Sequence, residues 1–195
     1  AVEDKYGVPP ERYSDLAERN GPLRVDWLLP TAAGAGVRNL YENPERLGAD
    51  RWAALIGARH SHAGACLVVT AGTATTVDLL SAAGDFLGGL ILPGVELMQQ
   101  ALARGTAQLP LAEGRFAWQP RRTVDAIRSG CLQAQTGAVE RMFRQIAAQP
   151  DALCLLGGGA ADSFADLLEI PLRRIDNLVL TGLGTVATLP APPTR

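Results

Sequence analysis

Residues 67–78, with the sequence LVVTAGTATTVD, place small residues and threonines between an apolar run and a carboxylate. The apolar residues predict a buried strand, residues 71–73 the tight turn after it, and residues 77–80 the next strand of a hairpin. Such a turn presents backbone N–H groups and threonine hydroxyls that suit phosphate oxygens. Glycine-threonine turns are also ordinary hairpin chemistry. The segment taken alone therefore predicts either a phosphate-binding turn or a simple hairpin.

An acidic and a basic side chain, Asp50 and Arg51, are adjacent where a helix is expected to begin. Gly48 permits a change of direction before them, and the apolar spacing over residues 52–59 is helical. In one interpretation Asp50 is the N-cap of this helix and Arg51 forms an ion pair at the surface. In the other, the two side chains project together as a base beside a cation, which suits activation of a hydroxyl next to an anion.

A third candidate is a glycine corner late in the chain. Residues 153–156 predict a buried strand, which ends in the three glycines of residues 157–159. A helix is expected over residues 161–168. A strand, a glycine turn and a helix N-terminus in this order are typical of nucleotide-binding corners, although the pattern alone is unspecific.

These residues must be positioned by alternating strands and helices. Glycines 88 and 89, in the strand expected over residues 86–94, indicate a bulge or a close backbone approach. Helices are also expected over residues 2–20 and 95–104, and the longest helix is expected to start at Thr123. Further strands are expected over residues 24–29 and 178–181, and a turn at residues 182–185 leads into the last helix. Their order predicts an α/β fold with a mixed sheet.

Composition excludes several classes of function. The 195 residues are 47% hydrophobic and 19% charged, enough for one core or two small lobes. A net charge of −2 and a pI near 5.7 predict no nucleic-acid partner and no membrane surface. The absence of any apolar run of about 20 residues predicts no membrane span and a cytoplasmic protein. Cys66, Cys131 and Cys154 lack metal-ligand spacing, so we expect reduced core thiols and no metal site in protein ligands.

Six ordered segments together resemble the type III pantothenate kinase family, which also includes the Bvg accessory factor proteins: YENPERLGADRW, GTATTVD, GGLILPG, ALARGTAQLP, TVDAIRSG and the glycine corner. The resemblance implies the fold of the acetate and sugar kinase, Hsp70 and actin superfamily, in which ATP binds between two ribonuclease H-like lobes. It assigns residues 1–36 to the remainder of an N-terminal lobe, residues 37–189 to the C-terminal lobe and residues 190–195 to a disordered tail.

The resemblance also implies an activity: ATP-dependent phosphorylation of pantothenate to 4'-phosphopantothenate, the first step of coenzyme A biosynthesis. It implies Mg²⁺ with the ATP, and a homodimer with pantothenate near the subunit interface. Asp50 corresponds to the family's general base, Thr123 to a threonine that reaches pantothenate from the neighbouring subunit, and Thr73 to the threonine at the ATP phosphates. The pantothenate site corresponds to Tyr41, Gly48, Ala49, Asp50 and Arg51.

Two departures from the family pattern qualify this prediction. The family's first strand and its Asp-x-Gly-Asn-Thr phosphate loop do not occur in the sequence. Residues 1–195 alone should therefore not be a competent kinase. We expect that loop upstream of Ala1 in a longer chain; the alternative is that the activity has been lost. Thr70 stands where the family has an aspartate that binds a monovalent cation. A hydroxyl lacks the negative charge of that ligand, so we do not predict a K⁺ or NH₄⁺ site.

Three other functions are compatible with the same fold. One is a non-catalytic regulator that binds pantothenate. Another is a different enzyme of the superfamily, such as a sugar kinase or a phosphatase, because a fold does not determine its substrate. The third is an actin-like filament protein, against which the short length and the absence of insertions argue.

Overall fold

The computed structural model describes residues 27–105 and 113–188, which form a seven-stranded mixed sheet with helices on both faces. The strands are β1 Ala33–Gly34, β2 Val37–Asn39, β3 Cys66–Ala71, β4 Ala74–Leu80, β5 Asp85–Pro93, β6 Leu153–Gly157 and β7 Leu172–Arg174. The helices are α1 Ala49–Ser61, α2 Val95–Gly105, α3 Thr123–Phe143 and α4 Leu178–Thr188. The expected helix over residues 2–20, the first half of the expected strand over residues 24–29 and the tail at 190–195 lie outside the described residues. The described half of that strand, residues 27–29, has no strand pairing.

The sheet runs in the order β1-β2-β5-β4-β3-β6-β7. β3, β4 and β5 form an antiparallel meander, whereas β6 pairs parallel to β3 and β7 parallel to β6. At the other edge, β2 pairs parallel to β5 and antiparallel to β1. The predicted α/β class with a mixed sheet is confirmed. β1 and β2 belong to the same sheet as the rest, and the division into lobes at residue 36 stays a prediction.

The central hairpin, β3 and β4, has the predicted position and turn. Val69 lies opposite Val77, and Thr70 lies opposite Thr76. Because successive side chains of a strand point to opposite faces, β3 contributes to two separate cores. Leu67 and Val69 pack with α3, while Cys66 and Val68 pack with α1. This burial on both faces accounts for the nearly continuous apolar run in the sequence.

β5 contains both irregularities that its two glycines indicate. The register with β4 shifts between Leu79 and Leu80, and Gly88 there has a φ of 120°, a value that L side chains rarely adopt. Gly89 lies opposite Asp78, and a Cβ at Gly89 would overlap the Asp78 carboxylate. The glycines thus permit a bulge and a buried acidic side chain.

The strand predicted over residues 178–181 is wrong, because those residues begin helix α4. The expected turn at residues 182–185 is also helical. Its glycines serve helix packing: a Cβ at Gly182 would overlap the Ala53 carbonyl of α1, and one at Gly57 would overlap the Leu178 carbonyl of α4. A short Leu-Val-Leu run suits a strand or a buried helix equally, and the close helix crossing decides between them.

The helix predicted over residues 161–168 is also wrong. The chain forms two single 3₁₀ turns there, Ala161–Ser163 and Ala165–Leu167, with Phe164 between them at φ −141°. Phe164 is buried against the α3 face of the sheet. The glycine corner is therefore followed by two short turns instead of a helix.

All three cysteines are free and buried, as predicted. Burial raises the pKa of the Cys66 thiol to about 12 and that of Cys154 likewise to about 12. Among the described residues, none of the helices has the length and hydrophobicity needed to cross a bilayer.

Candidate functional site

Asp50 lies exposed in the first turn of α1. The helix begins at Ala49 and its N-cap is Gly48, so the interpretation of Asp50 as the N-cap is wrong. The Asp50 Oδ1 instead accepts a hydrogen bond from the Arg51 backbone N–H at 2.8 Å. A Cβ at Gly48 would lie 2.6 Å from that oxygen. The glycine therefore leaves space for an exposed carboxylate held at the helix N-terminus.

Arg51 is buried, with 6% of its surface exposed, so an ion pair at the surface is wrong for this residue. Its Nε lies 3.2 and 3.1 Å from the two carboxylate oxygens of Asp78, and its Nη2 donates to the same carboxylate. Asp78 is 1% exposed and lies in β4. The pair therefore joins the start of α1 to the centre of the sheet.

The two charges influence each other's ionisation. Burial raises the pKa of the Asp78 carboxyl above its ordinary value, and the hydrogen bond and charge of Arg51 limit that rise. Burial alone would lower the pKa of Arg51, but hydrogen bonding and attraction to Asp78 outweigh it and raise that pKa. The guanidinium thus remains a cation in the interior.

Tyr41 completes this cluster. The Arg51 Nη1 donates to the Tyr41 hydroxyl at 2.7 Å. The Tyr41 ring packs on Phe86 with centroids 5.2 Å apart, and the Arg51 guanidinium carbon lies 5.5 Å from the Tyr41 centroid and 5.6 Å from that of Phe86. These distances allow cation–π attraction. Tyr41 thus forms one cluster with the Arg51 guanidinium and Asp78. The Asp50 side chain, beside Gly48 and Ala49, is linked to this cluster through its hydrogen bond with the Arg51 backbone.

Thr73 lies elsewhere, in the exposed turn between β3 and β4. The turn borders an open cleft of about 470 Å³ lined by Gly72, Thr73, Val95, Glu96, Leu97, Gln100, Arg128, Gly159, Ala160 and Ser163. The lining includes the Thr73 hydroxyl, the Arg128 guanidinium and the Glu96 carboxylate, whereas the Ser163 hydroxyl donates to the Ala160 carbonyl. The donors of Thr73 and Arg128 fit an anionic group such as a phosphate. Tyr41, Asp50 and Arg51 are not part of this lining.

The glycine corner is held against the hairpin turn. Gly158 has a φ of 95°, and a Cβ there would overlap the Ala71 carbonyl. The Ala160 N–H donates to the same carbonyl at 3.1 Å. The next glycine, Gly159, faces open space. The corner predicted from the sequence is thereby brought beside Thr73, on the rim of the same cleft.

Thr123 is the exposed first residue of α3. Among the described residues, no hydrogen bond or ion pair joins it to Asp50 or Tyr41 of the same chain. The structure therefore leaves Thr123 outside the cluster around Arg51.

A family model for type III pantothenate kinase matches residues 9–145. The chain belongs to the type III pantothenate kinase family. A type III pantothenate kinase of Aromatoleum aromaticum is 65% identical over 161 residues, which are 83% of this chain and 66% of that protein. One of Azoarcus sp. is 58% identical over 165 residues, covering 85% of this chain and 63% of that protein. The chain thus spans slightly less than two thirds of the length of these relatives.

A solved structure supports the fold independently. A protein described as a conserved putative Baf family transcriptional activator from Campylobacter jejuni aligns with 75% of this chain and 65% of its own, with a TM-score of 0.56 and 23% identity. At this identity the likeness concerns the fold alone. The family inferred from the six segments is confirmed, and so is the α/β fold with a mixed sheet. The two lobes with ATP between them stay a prediction.

Sequence reasoning missed Asp78 and Arg128 as members of these two sites. Asp78 ends the segment of residues 67–78, and a carboxylate next to apolar residues of a buried strand indicates a buried partner. The partner was not identifiable, because Arg51 is 27 positions away and neither interpretation of it placed its side chain in the interior. Arg128 belongs to a long helix, where one arginine among several carries no signal of its own.

Proposed function

We propose that this chain provides the pantothenate site and part of the ATP site of an enzyme that phosphorylates pantothenate to 4'-phosphopantothenate. The observation that carries this proposal is the exposed Asp50 carboxylate, held at a helix N-terminus directly beside the buried Arg51–Asp78 pair. Membership of the family supports the substrate. The enzyme would catalyse the first step of coenzyme A biosynthesis, in the cytoplasm.

Asp50 is the proposed general base. The primary hydroxyl of pantothenate must lose its proton as it attacks phosphorus, and a carboxylate within hydrogen-bond distance can accept that proton. Tyr41 would bind the substrate, and the buried Arg51 would orient Tyr41 and balance negative charge, since phosphoryl transfer depends mainly on positioning and charge neutralisation.

The cleft beside Thr73 is the proposed site for the phosphates of ATP. Thr73 and Arg128 would contact phosphate oxygens, and the absence of a side chain at Gly159 would permit close approach of the ligand to the backbone. Mg²⁺-ATP supplies the transferred phosphoryl group when bound. We make no proposal for a monovalent cation, because Thr70 lacks the charge of the family's ligand.

A homodimer is part of this proposal. Thr123 is exposed on the chain and separate from the cluster around Arg51, as expected for a residue that contacts pantothenate bound to the other subunit. Sedimentation equilibrium of the full-length protein should give a finite dimer. A growing series of larger assemblies would instead favour the filament hypothesis.

The test is pantothenate phosphorylation by the full-length protein, comparing the wild type with Asp50→Asn. Removal of a general base should lower kcat by about a hundredfold or more, while a calorimetric Kd for pantothenate changes little. Asp166→Asn, an exposed substitution in the 3₁₀ turn Ala165–Leu167, controls for the loss of one acidic charge and should have wild-type activity.

The other outcomes identify other functions. A wild-type protein that binds pantothenate without phosphorylating it would be the non-catalytic regulator, and Asp50 would then be only a ligand. A wild-type protein that phosphorylates a sugar in preference to pantothenate would be a different kinase of the superfamily. Equal kcat values for the wild type and Asp50→Asn would contradict the role of Asp50 as base.

A further inference from the structure

The Arg51–Asp78 pair is costly to bury, and its burial needs an explanation beyond stability. Arg51 and Asp78 are 6% and 1% exposed. Desolvation of two charges commonly offsets their attraction, so apolar residues of similar volume are often as stabilising as a buried ion pair. The opposing strand carries Gly89, whose missing side chain leaves the space that the Asp78 carboxylate occupies. The pairing of β4 with β5 thus accommodates the Asp78 carboxylate at the position of Gly89.

Asp78 determines the orientation of the guanidinium. It engages Nε and Nη2 of Arg51 on one edge, a two-point contact that fixes the plane of the group. The remaining nitrogen, Nη1, is thereby directed at the Tyr41 hydroxyl, 2.7 Å away. Packing against Phe86 restrains the Tyr41 ring from the side. A continuous series of hydrogen bonds therefore connects Asp78 through Arg51 to the Tyr41 hydroxyl.

This arrangement has a consequence for the direction of the Tyr41 hydrogen bond. A phenol oxygen can accept a hydrogen bond while its own proton is donated to another group. An arginine has only donors, so the Tyr41 oxygen must act as the acceptor towards Arg51. Its proton then points away from the guanidinium. Tyr41 is half-buried, so its side chain is not enclosed by the core.

We propose that Asp78 is a positioning residue that, through Arg51, holds the Tyr41 hydroxyl as a hydrogen-bond donor to an oxygen acceptor of the substrate. The inference rests on the proposed function, because it assigns that acceptor to pantothenate, whose carboxylate and carbonyl groups supply oxygens of this kind. Asp78 itself does not touch the substrate. Its contribution should therefore disappear when the Tyr41 hydroxyl is removed.

A double-mutant cycle in the full-length protein tests this dependence. The variants are Tyr41→Phe, Asp78→Asn and the two combined, and the measurements are the calorimetric Kd for pantothenate and the KM for each substrate. Loss of a hydrogen bond to a charged or strongly polar acceptor should weaken pantothenate binding by about tenfold to a hundredfold in each single variant. The Kd of the double variant for pantothenate should be no more than about threefold higher than that of Tyr41→Phe alone.

The KM for ATP should stay within about twofold of the wild-type value in all three variants, because the cleft beside Thr73 shares no lining residue with this cluster. Asp85→Asn is the matched control. Asp85 also forms an ion pair with an arginine, but that partner, Arg38, is exposed. The Kd of the Asp85→Asn variant for pantothenate should equal that of the wild type.

If Asp78→Asn fails to fold, Asp78→Glu replaces it in the cycle. The longer carboxylate keeps the charge but must displace the guanidinium, so the same loss of pantothenate affinity is expected. Two outcomes overturn this inference but leave the proposed function standing. One is a double variant whose loss of pantothenate affinity is the product of the two single losses. The other is an Asp78 variant with a lowered melting temperature but an unchanged Kd for pantothenate. A wild-type protein that neither binds nor phosphorylates pantothenate overturns the proposed function and this inference with it.

Discussion

Removing one charge of the Arg51–Asp78 pair should destabilise the protein far more than removing both. Asp78→Leu leaves the guanidinium buried without its counterion, and breaking a buried pair in this way costs about 3–5 kcal/mol. That is a large share of the roughly 5–15 kcal/mol by which most domains are stable. For a protein of about this size, it corresponds to a fall in Tm of roughly 6–20 °C. Arg51→Met combined with Asp78→Leu should be within about 1 kcal/mol of the wild type or more stable.

Urea denaturation measures both variants, and Trp52 provides the fluorescence signal because it is 1% exposed and lies directly after Arg51. The double replacement removes both members of the buried ion pair and so leaves no unpaired charge of that pair in the interior. Equal destabilisation of the single and double variants would refute the reasoning. In that case the attraction between the charges, and not the uncompensated guanidinium, would account for the cost.

Three further predictions concern other parts of the chain. Gly48→Ala should lower kcat by about a hundredfold without unfolding the protein, since its Cβ displaces the Asp50 carboxylate; an unchanged kcat in the phosphorylation assay would contradict this. Gly182→Ala should lower the free energy of unfolding, measured by urea denaturation, by roughly 1–3 kcal/mol, because the new Cβ forces apart helices α1 and α4. Gly184 faces open space, so Gly184→Ala should raise that free energy by up to about 1 kcal/mol. The Cys66 thiol has a pKa of about 12 in the fold against 9.0 ordinarily, so it should resist Ellman's reagent at pH 8. Because the folded state keeps this proton to higher pH than the unfolded state does, the free energy of unfolding should fall as the pH rises from about 9 to 12.

The sequence predicted those elements whose signals are local. The hairpin of β3 and β4, the strand β5 and the helices α2 and α3 each have an unambiguous periodicity or a decisive turn residue. The errors lie where a local signal has two interpretations. An apolar run of residues 178–181 fits a strand and a buried helix equally, and glycines 182 and 184 resemble a turn until their helical neighbours are known.

The candidate site divides in the same way. Tyr41, Gly48, Asp50 and Arg51 could be selected from the order and spacing of motifs, because those residues lie within eleven positions of one another. Their arrangement could not be predicted, since nothing local distinguishes an arginine that is buried from one at the surface. The cleft beside Thr73 likewise combines a hairpin turn, two helices and a glycine corner that are distant in the chain.

The sequence by itself determined the family, the fold class and the residues nearest to the proposed chemistry, because composition, periodicity and ordered motifs are properties of the linear chain. Only the tertiary structure decided that Arg51 is buried, that Asp78 is its counterion and that the Tyr41 hydroxyl accepts a hydrogen bond from it. The physical reason is that a buried charge requires a partner in space. That partner is supplied by the pairing of strands and the packing of a helix on a sheet, which join residues far apart in sequence.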